Sequence, residues 1–179
     1  MGGRWRREER LLRRLVGTGS RRGTAPASRA GDVLREPLVW AGLATTIALS
    51  GPRGRRAVLR GATCSAVANL IHLPLKRAIG RPRPWGAQLI ARRRLGRSLP
   101  SGHTASDLSF VLGASQELPA LLVPLSAATL ASHWSLIRAR KHYPSDVLAG
   151  GAIAVTVTAA AWCWRPPPAR RAVGARAGT

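Results

Sequence analysis

Apolar runs and basic breaks alternate along the chain, and the alternation predicts its elements. Pro37 to Ser50 is an apolar run, followed by a charged turn at Gly51-Pro52-Arg53-Gly54-Arg55-Arg56 and a second apolar segment from Ala57 to Leu75 that contains Arg60 and His72. Arg60 lies near one end, where its side chain reaches head groups. Lys76 to Pro100 is basic, broken by Pro82, Pro84 and Gly86, and holds no run long enough to span a bilayer. Thr104 to Ala139 is apolar over most of its length, with Asp107, Gln116 and Glu117 as exceptions. It predicts two helices, 104 to 116 and 119 to 137, joined by a turn at Gln116-Glu117-Leu118-Pro119. Residues 146 to 164 form the last apolar helix, with Trp162 and Trp164 where an interfacial aromatic belt sits. Crossing the hydrocarbon takes about 20 residues. The 37–50 run reaches that length only by starting near Val33, with Arg35 and Glu36 snorkelling, and 104–116 spans only if the site is sunk into the membrane.

These segments predict an all-α integral membrane bundle of about five helices, formed by residues 32–164. Residues 1–31 are a basic segment rich in Arg, Gly and Ser; within it Leu11, Leu12, Leu15 and Val16 recur at helical spacing beside a dense Arg face. Two readings stay open for this stretch, a helix lying on an anionic membrane surface or a disordered basic tail. The Pro- and Arg-rich residues 165–179 predict a disordered tail.

Charge narrows the class of partner. The formal net charge is +22, from 29 basic and 7 acidic residues. In a nucleic-acid-binding protein, basic and aromatic residues share a face; here apolar runs separate the basic clusters, so the pattern fits anionic lipid head groups and phosphate substrates instead. Cys64 and Cys163 lie singly inside apolar segments, read as core thiols, with no metal-site spacing.

Three polar clusters stand at the ends of apolar segments, where a bundle brings them to one membrane face. A phosphate ester resists hydrolysis because its charge repels nucleophiles, so its cleavage needs fixed positive charge, an in-line nucleophile and an acid for the leaving group. Lys76 and Arg83, with Pro84 after it, offer a mobile point charge and a bidentate fork. In Pro100-Ser101-Gly102-His103, Ser101 suits an N-cap, the amides of Ser101 and Gly102 point toward an incoming anion, and His103 is placed to protonate a leaving alkoxide. His142 and Asp146 are four residues apart; a carboxylate holding Nδ1-H presents Nε2 as a nucleophile. His72, one turn before Lys76, reads as a packed histidine bordering this region.

Taken in order, Lys76-(six residues)-Arg83-Pro84, then Pro100-Ser101-Gly102-His103, then His142-(three residues)-Asp146, interleaved with apolar helices, resembles the type 2 phosphatidic acid phosphatase (PAP2) superfamily over roughly Ala57 to Trp164. The resemblance implies phosphate binding by Lys76, Arg83, Ser101 and Gly102, an acid role for His103, a phosphohistidine on His142 and orientation by Asp146, with no metal and no cofactor. In the third motif Ser135 fits, but Leu136 occupies the place of an arginine that clamps phosphate. Arg138 or Arg140 stands nearby as a replacement, although two residues along a continuous helix turn a side chain by about 200°.

The expected activity is metal-independent hydrolysis of a lipid phosphate or diphosphate monoester, such as a polyprenyl phosphate or phosphatidate. A non-catalytic membrane protein that binds anionic lipid is the other reading, favoured by Leu136. The resemblance implies a multi-pass cell-membrane protein with the site facing outward. If the 37–50 run spans, however, the basic N-terminus shares a side with the site, and the positive-inside rule favours the cytoplasm.

Overall fold

A computed structural model describes residues 5–16, 31, 33–34, 36–84 and 97–163. Among them the chain forms α1 (Arg6–Val16), α2 (Pro37–Leu49), α3 (Pro52–Ile79), α4 (Gly102–Ser115), a 3-10 turn (Pro119–Leu121), α5 (Leu122–Arg138) and α6 (Pro144–Cys163), with one isolated β-bridge and no strand. The all-helical expectation holds, with five bundle helices and one N-terminal helix.

The termini of these helices differ from the sequence expectation for local reasons. Residues 52–56, expected as a turn, open α3 instead. Pro52 needs no amide partner at the first helical position, and Gly51 takes the φ of 116° that turns the chain out of α2. Lys76, expected at the start of the basic loop, lies in the last turn of α3, which runs through Pro74 and stops at Gly80 in the left-handed conformation. This makes α3 a helix of 28 residues, about 42 Å long. Trp162 is exposed at the end of α6, while Trp164 and the 165–179 tail lie outside the described residues.

Packing centres on α3, α4 and α6, which share the buried Cys64, Ala68, Ala105 and Val157. Their axes approach closely because small residues face each other. A Cβ on Gly61 would meet the Phe110 carbonyl oxygen at 2.7 Å, and one on Gly150 would meet the Ser101 carbonyl oxygen at 2.6 Å. The second contact seats the N-terminal half of α6 on the N-terminus of α4. Cys163 is exposed, so only Cys64 is the core thiol that its apolar surroundings suggested.

Away from that junction, a polar tie closes the other end of the bundle. Arg60 donates to Gln116 Oε1 at 2.5 Å and to the Ala161 carbonyl at 2.5 Å, and pairs with Glu117 at 3.4 Å. Instead of reaching outward, Arg60 links α3, the α4–α5 turn and α6. The stretches Pro119–Arg138 and Pro144–Cys163 are each long and apolar enough to cross a membrane. Large apolar side chains, Leu59, Leu70, Val123 and Leu148 among them, point out of the bundle.

Glycine substitutions separate packing from propensity. Gly61→Ala drives a Cβ into backbone and is expected to destabilise the detergent-solubilised protein by about 1–3 kcal/mol. Gly42→Ala, where no atom lies within 4 Å, is expected to be neutral or stabilising by up to about 1 kcal/mol. Thermal unfolding of the two variants checks the contrast.

Candidate active site

Two prolines shape the segment that leaves α3. The residue before a proline is biased toward extended backbone, which suits Arg81 and Arg83, each followed by proline, in a segment that leaves the helix and bridges Arg97 through Pro82. In an extended chain residues two apart share a side. Both arginines therefore reach the segment that opens α6. Arg83 donates to the Lys141 carbonyl at 3.0 Å, and Arg81 donates to Ser145 Oγ at 2.6 Å and to Asp146 Oδ1 at 3.0 Å. The same segment pairs with the approach to α4, where Pro82 bridges Arg97 and the Ser98 amide donates to the Arg81 carbonyl at 2.7 Å.

Asp146 is the hub of the site. Fully buried, it accepts from Arg81 on Oδ1 and from the Tyr143 amide on Oδ2 at 2.8 Å, and Oδ2 lies 3.3 Å from His142 Nδ1. As the third residue of α6, it uses its side chain to cap the amide just before the helix. Its carbonyl accepts from the Ser101 amide at 2.9 Å, which ties the start of α4 to the start of α6.

His142 is buried, and burial pushes its imidazole below the ordinary 6.5. The hydrogen bond with Asp146 opposes that shift, while the positive charges of Arg83 and Lys76 add to it. With Nδ1 facing the carboxylate, Nε2 is the ring nitrogen directed away from it. Lys76 is half-buried and within electrostatic reach of Arg83 and Asp146. The structure thus gathers Lys76, Arg83, His142 and Asp146 into one site.

In the Ser101 turn two expectations are corrected. The Ser101 amide bonds the Asp146 carbonyl and does not point toward an incoming anion, and Ser101 Oγ accepts from Thr104 at 2.9 Å without capping the helix. Gly102 is the first residue of α4, where amides lack intrahelical acceptors. A Cβ at Gly102 would lie 2.5 Å from Nε2 of the buried His72, so the missing side chain makes room for that ring. His103 follows at the second position of α4 and is exposed.

Leu136 and Arg138 part company at the end of α5. Leu136 is buried, and the helix continues through Arg138, which is exposed. The chain leaves the helix through Arg140 in the left-handed region, φ 53°.

The sequence profile of the PAP2 superfamily matches residues 57–170, more than half of the chain. The chain belongs to the PAP2 superfamily. Searches of curated proteins and of solved structures return no match. PAP2 proteins are generally phosphatases acting on phosphate esters. The matched region of this PAP2 chain contains all three site segments and leaves out α1 and α2. Arg81, Ser145 and Thr104 were not singled out in the sequence, although the Arg-Pro-Arg-Pro repeat already signals that Arg81 and Arg83 act on the same side.

Burial of neutral His142 couples stability to pH. Its folded pKa is depressed, so below about 6.5 the unfolded chain binds a proton that the folded chain resists. The His142 contribution is therefore full above that pH and is lost as pH falls toward the folded value. Thermal unfolding from pH 8 to 5 should show stability decreasing below about pH 6.5, with a shallower slope in His142→Asn.

Proposed function

We propose that this PAP2 protein hydrolyses a lipid phosphate or diphosphate monoester through a phosphohistidine on His142. The observation that carries this reading is the buried His142–Asp146 pair beside Arg83, which joins a neutral nucleophile, an orienting carboxylate and fixed positive charge. Lys76, Arg83 and the first amide of α4, at Gly102, bind the phosphoryl oxygens, while Ser101 holds that turn in place. His142 Nε2 attacks phosphorus in line, the P–O bond to the lipid breaks, and His103 protonates the departing alkoxide. His103 then takes a proton from water, whose oxygen attacks phosphorus, and the P–N bond breaks to release phosphate and restore His142. Asp146 stabilises the ring while it carries the phosphoryl group. Arg138, exposed at the last residue of α5 and two positions beyond the buried Leu136, is assigned the role of the missing arginine because it adjoins the α5–α6 connection that carries His142.

A lipid substrate is supported by the surroundings of the site. Arg56 and Lys76 are separated by about 30 Å along α3, close to the hydrocarbon thickness of a bilayer. Apolar side chains face outward between these levels. A head group then meets the site while its tail remains in lipid, and the bundle is read as multi-pass.

The placement of α1 bears on the side of the membrane. α1 contacts α5 and α6, and its Leu12 packs on Ile137 and Tyr143, beside the site. Thirteen described basic residues stand at the site end and four, Arg53, Arg55, Arg56 and Arg60, at the other. We therefore favour a cytoplasmic site over the outward one suggested by family resemblance.

Phosphate release from a panel of phosphatidate and polyprenyl phosphates and diphosphates, by detergent-purified protein without added metal, tests the function. His142→Ala is expected to abolish release, by about 10³-fold or more, and Arg138→Ala to raise KM several-fold. The buried Leu136 favours a second reading, a pocket that binds anionic lipid without turnover. Release from no member of the panel by folded protein would establish that reading in place of the first.

A further inference from the structure

Arg81 lies outside the set of residues that meet phosphate in the proposed reaction, yet it is the most completely enclosed cation of the site, 1 % exposed. Its guanidinium is stacked between two rings, 3.9 Å from the Tyr143 centroid and 4.4 Å from the Trp5 centroid. One amino group bonds Ser145 and Asp146; the other faces Glu8 of α1 at 3.6 Å. Its Nε and second amino group make no hydrogen bond among the described residues, so the rings and Glu8 are what hold that edge. Trp5 and Glu8 are brought there by α1, whose Leu12 is buried against Ile137 and Tyr143.

We propose that Arg81 is a positioning residue for phosphoryl transfer, fixing the Asp146 carboxylate that holds His142, and that α1 is the element that locks Arg81 in place. Three features carry this. First, Asp146 presents one oxygen to Arg81 and the other to His142 and the Tyr143 amide, so releasing Oδ1 frees the carboxylate to rotate and lets Nδ1 lose its partner. Second, a buried guanidinium with two nitrogens that make no hydrogen bond among the described residues keeps its orientation only while the stacking rings and Glu8 confine it. Third, one ring comes from Tyr143, next to His142, and the other from Trp5 at the far N-terminal end of the chain. The N-terminal helix thereby becomes part of the site without touching substrate.

The proposal rests on the phosphohistidine reading, and its test separates the two. The charged groups around His142 are Asp146 from α6, Arg83 from the 80–84 segment and Lys76 from α3, with Glu8 and Glu9 of α1 acting on the adjoining Tyr143. His103 and Arg138 stand at the ends of α4 and α5. Loss of the Arg81 charge leaves Asp146 less compensated, which favours the imidazolium of His142.

Full-length protein in detergent is compared as wild type, Arg81→Lys, Arg81→Gln, Trp5→Ala and Trp5→Phe. Turnover is read with the panel substrate that wild type cleaves fastest, and the His142 titration by NMR of 15N-labelled imidazole. Arg81→Gln is expected to lower kcat about 10- to 100-fold with KM within about twofold, and to move the acid limb of the pH profile and the His142 titration upward. Arg81→Lys, which keeps the charge but not the fork, should recover the titration but not the full rate. Trp5→Ala keeps both the Arg81 and the Asp146 side chains and removes only one stacking ring, so it remains informative if Arg81→Gln fails to fold; a drop of about threefold or more in kcat is expected, mostly recovered in Trp5→Phe. Folded Arg81→Gln or Trp5→Ala with wild-type kcat and an unmoved His142 titration overturns the proposal. Wild type that releases no phosphate overturns the enzymatic reading instead, and the NMR titration then still decides whether Arg81 and Trp5 govern the His142 environment.

Discussion

One buried negative charge organises this protein. Asp146 has no access to solvent, and an ionised carboxylate out of water is tolerated only when partners surround it. Those partners come from separate parts of the sequence: Arg81 beyond the end of α3, the Tyr143 amide at the start of α6, and His142 beside it. Satisfying one side chain therefore brings the Arg81–Arg83 segment onto the α5–α6 connection, while the backbone carbonyl of the same residue gathers in the start of α4. The contacts that close this end of the bundle are the same ones that assemble the site.

The other end of the bundle sets the distance at which this happens. Arg60 links the α4–α5 turn to the end of α6, and glycines along α3, α4 and α6 let the helices approach without side chains between them. A shift of α6 along its axis would break the Arg60 contact to Ala161 and press Gly150 against Ser101 or lift it away. Close packing and the polar tie thus locate the α6 N-terminus against the α4 N-terminus, and the His142–Asp146 pair with it.

Much of this is legible in the amino-acid sequence. Alternation of apolar runs with basic breaks located the bundle helices, and the spacings of Lys76–Arg83 and His142–Asp146 picked out four residues that the fold brings together. Segment ends were harder to read where a residue carries two meanings. Pro52 beside Gly51 reads as a turn and equally as a helix start, and Lys76 reads as the start of a basic loop although α3 continues through it to Ile79. The Ser101 amide illustrates a different limit: an N-terminal amide is available to an anion only if nothing else claims it, and its claimant, the Asp146 carbonyl, is 45 positions away. Arg60 and Arg81 escaped for the same reason, since their partners are supplied by distant helices.

The Arg-Pro-Arg-Pro stretch carries a consequence for how this site tolerates change. Because its two arginines share a side only through the two-residue repeat of an extended chain, the stretch has a reading frame. Replacing one arginine subtracts one function, whereas inserting or deleting a single residue between Arg81 and Arg83 sends the two arginines to opposite sides, so that at most one of them still faces the α5–α6 connection. Variation in length here is incompatible with the site in a way that variation in composition is not, and related chains that keep this chemistry should hold the spacing of this stretch fixed while their other connections grow and shrink.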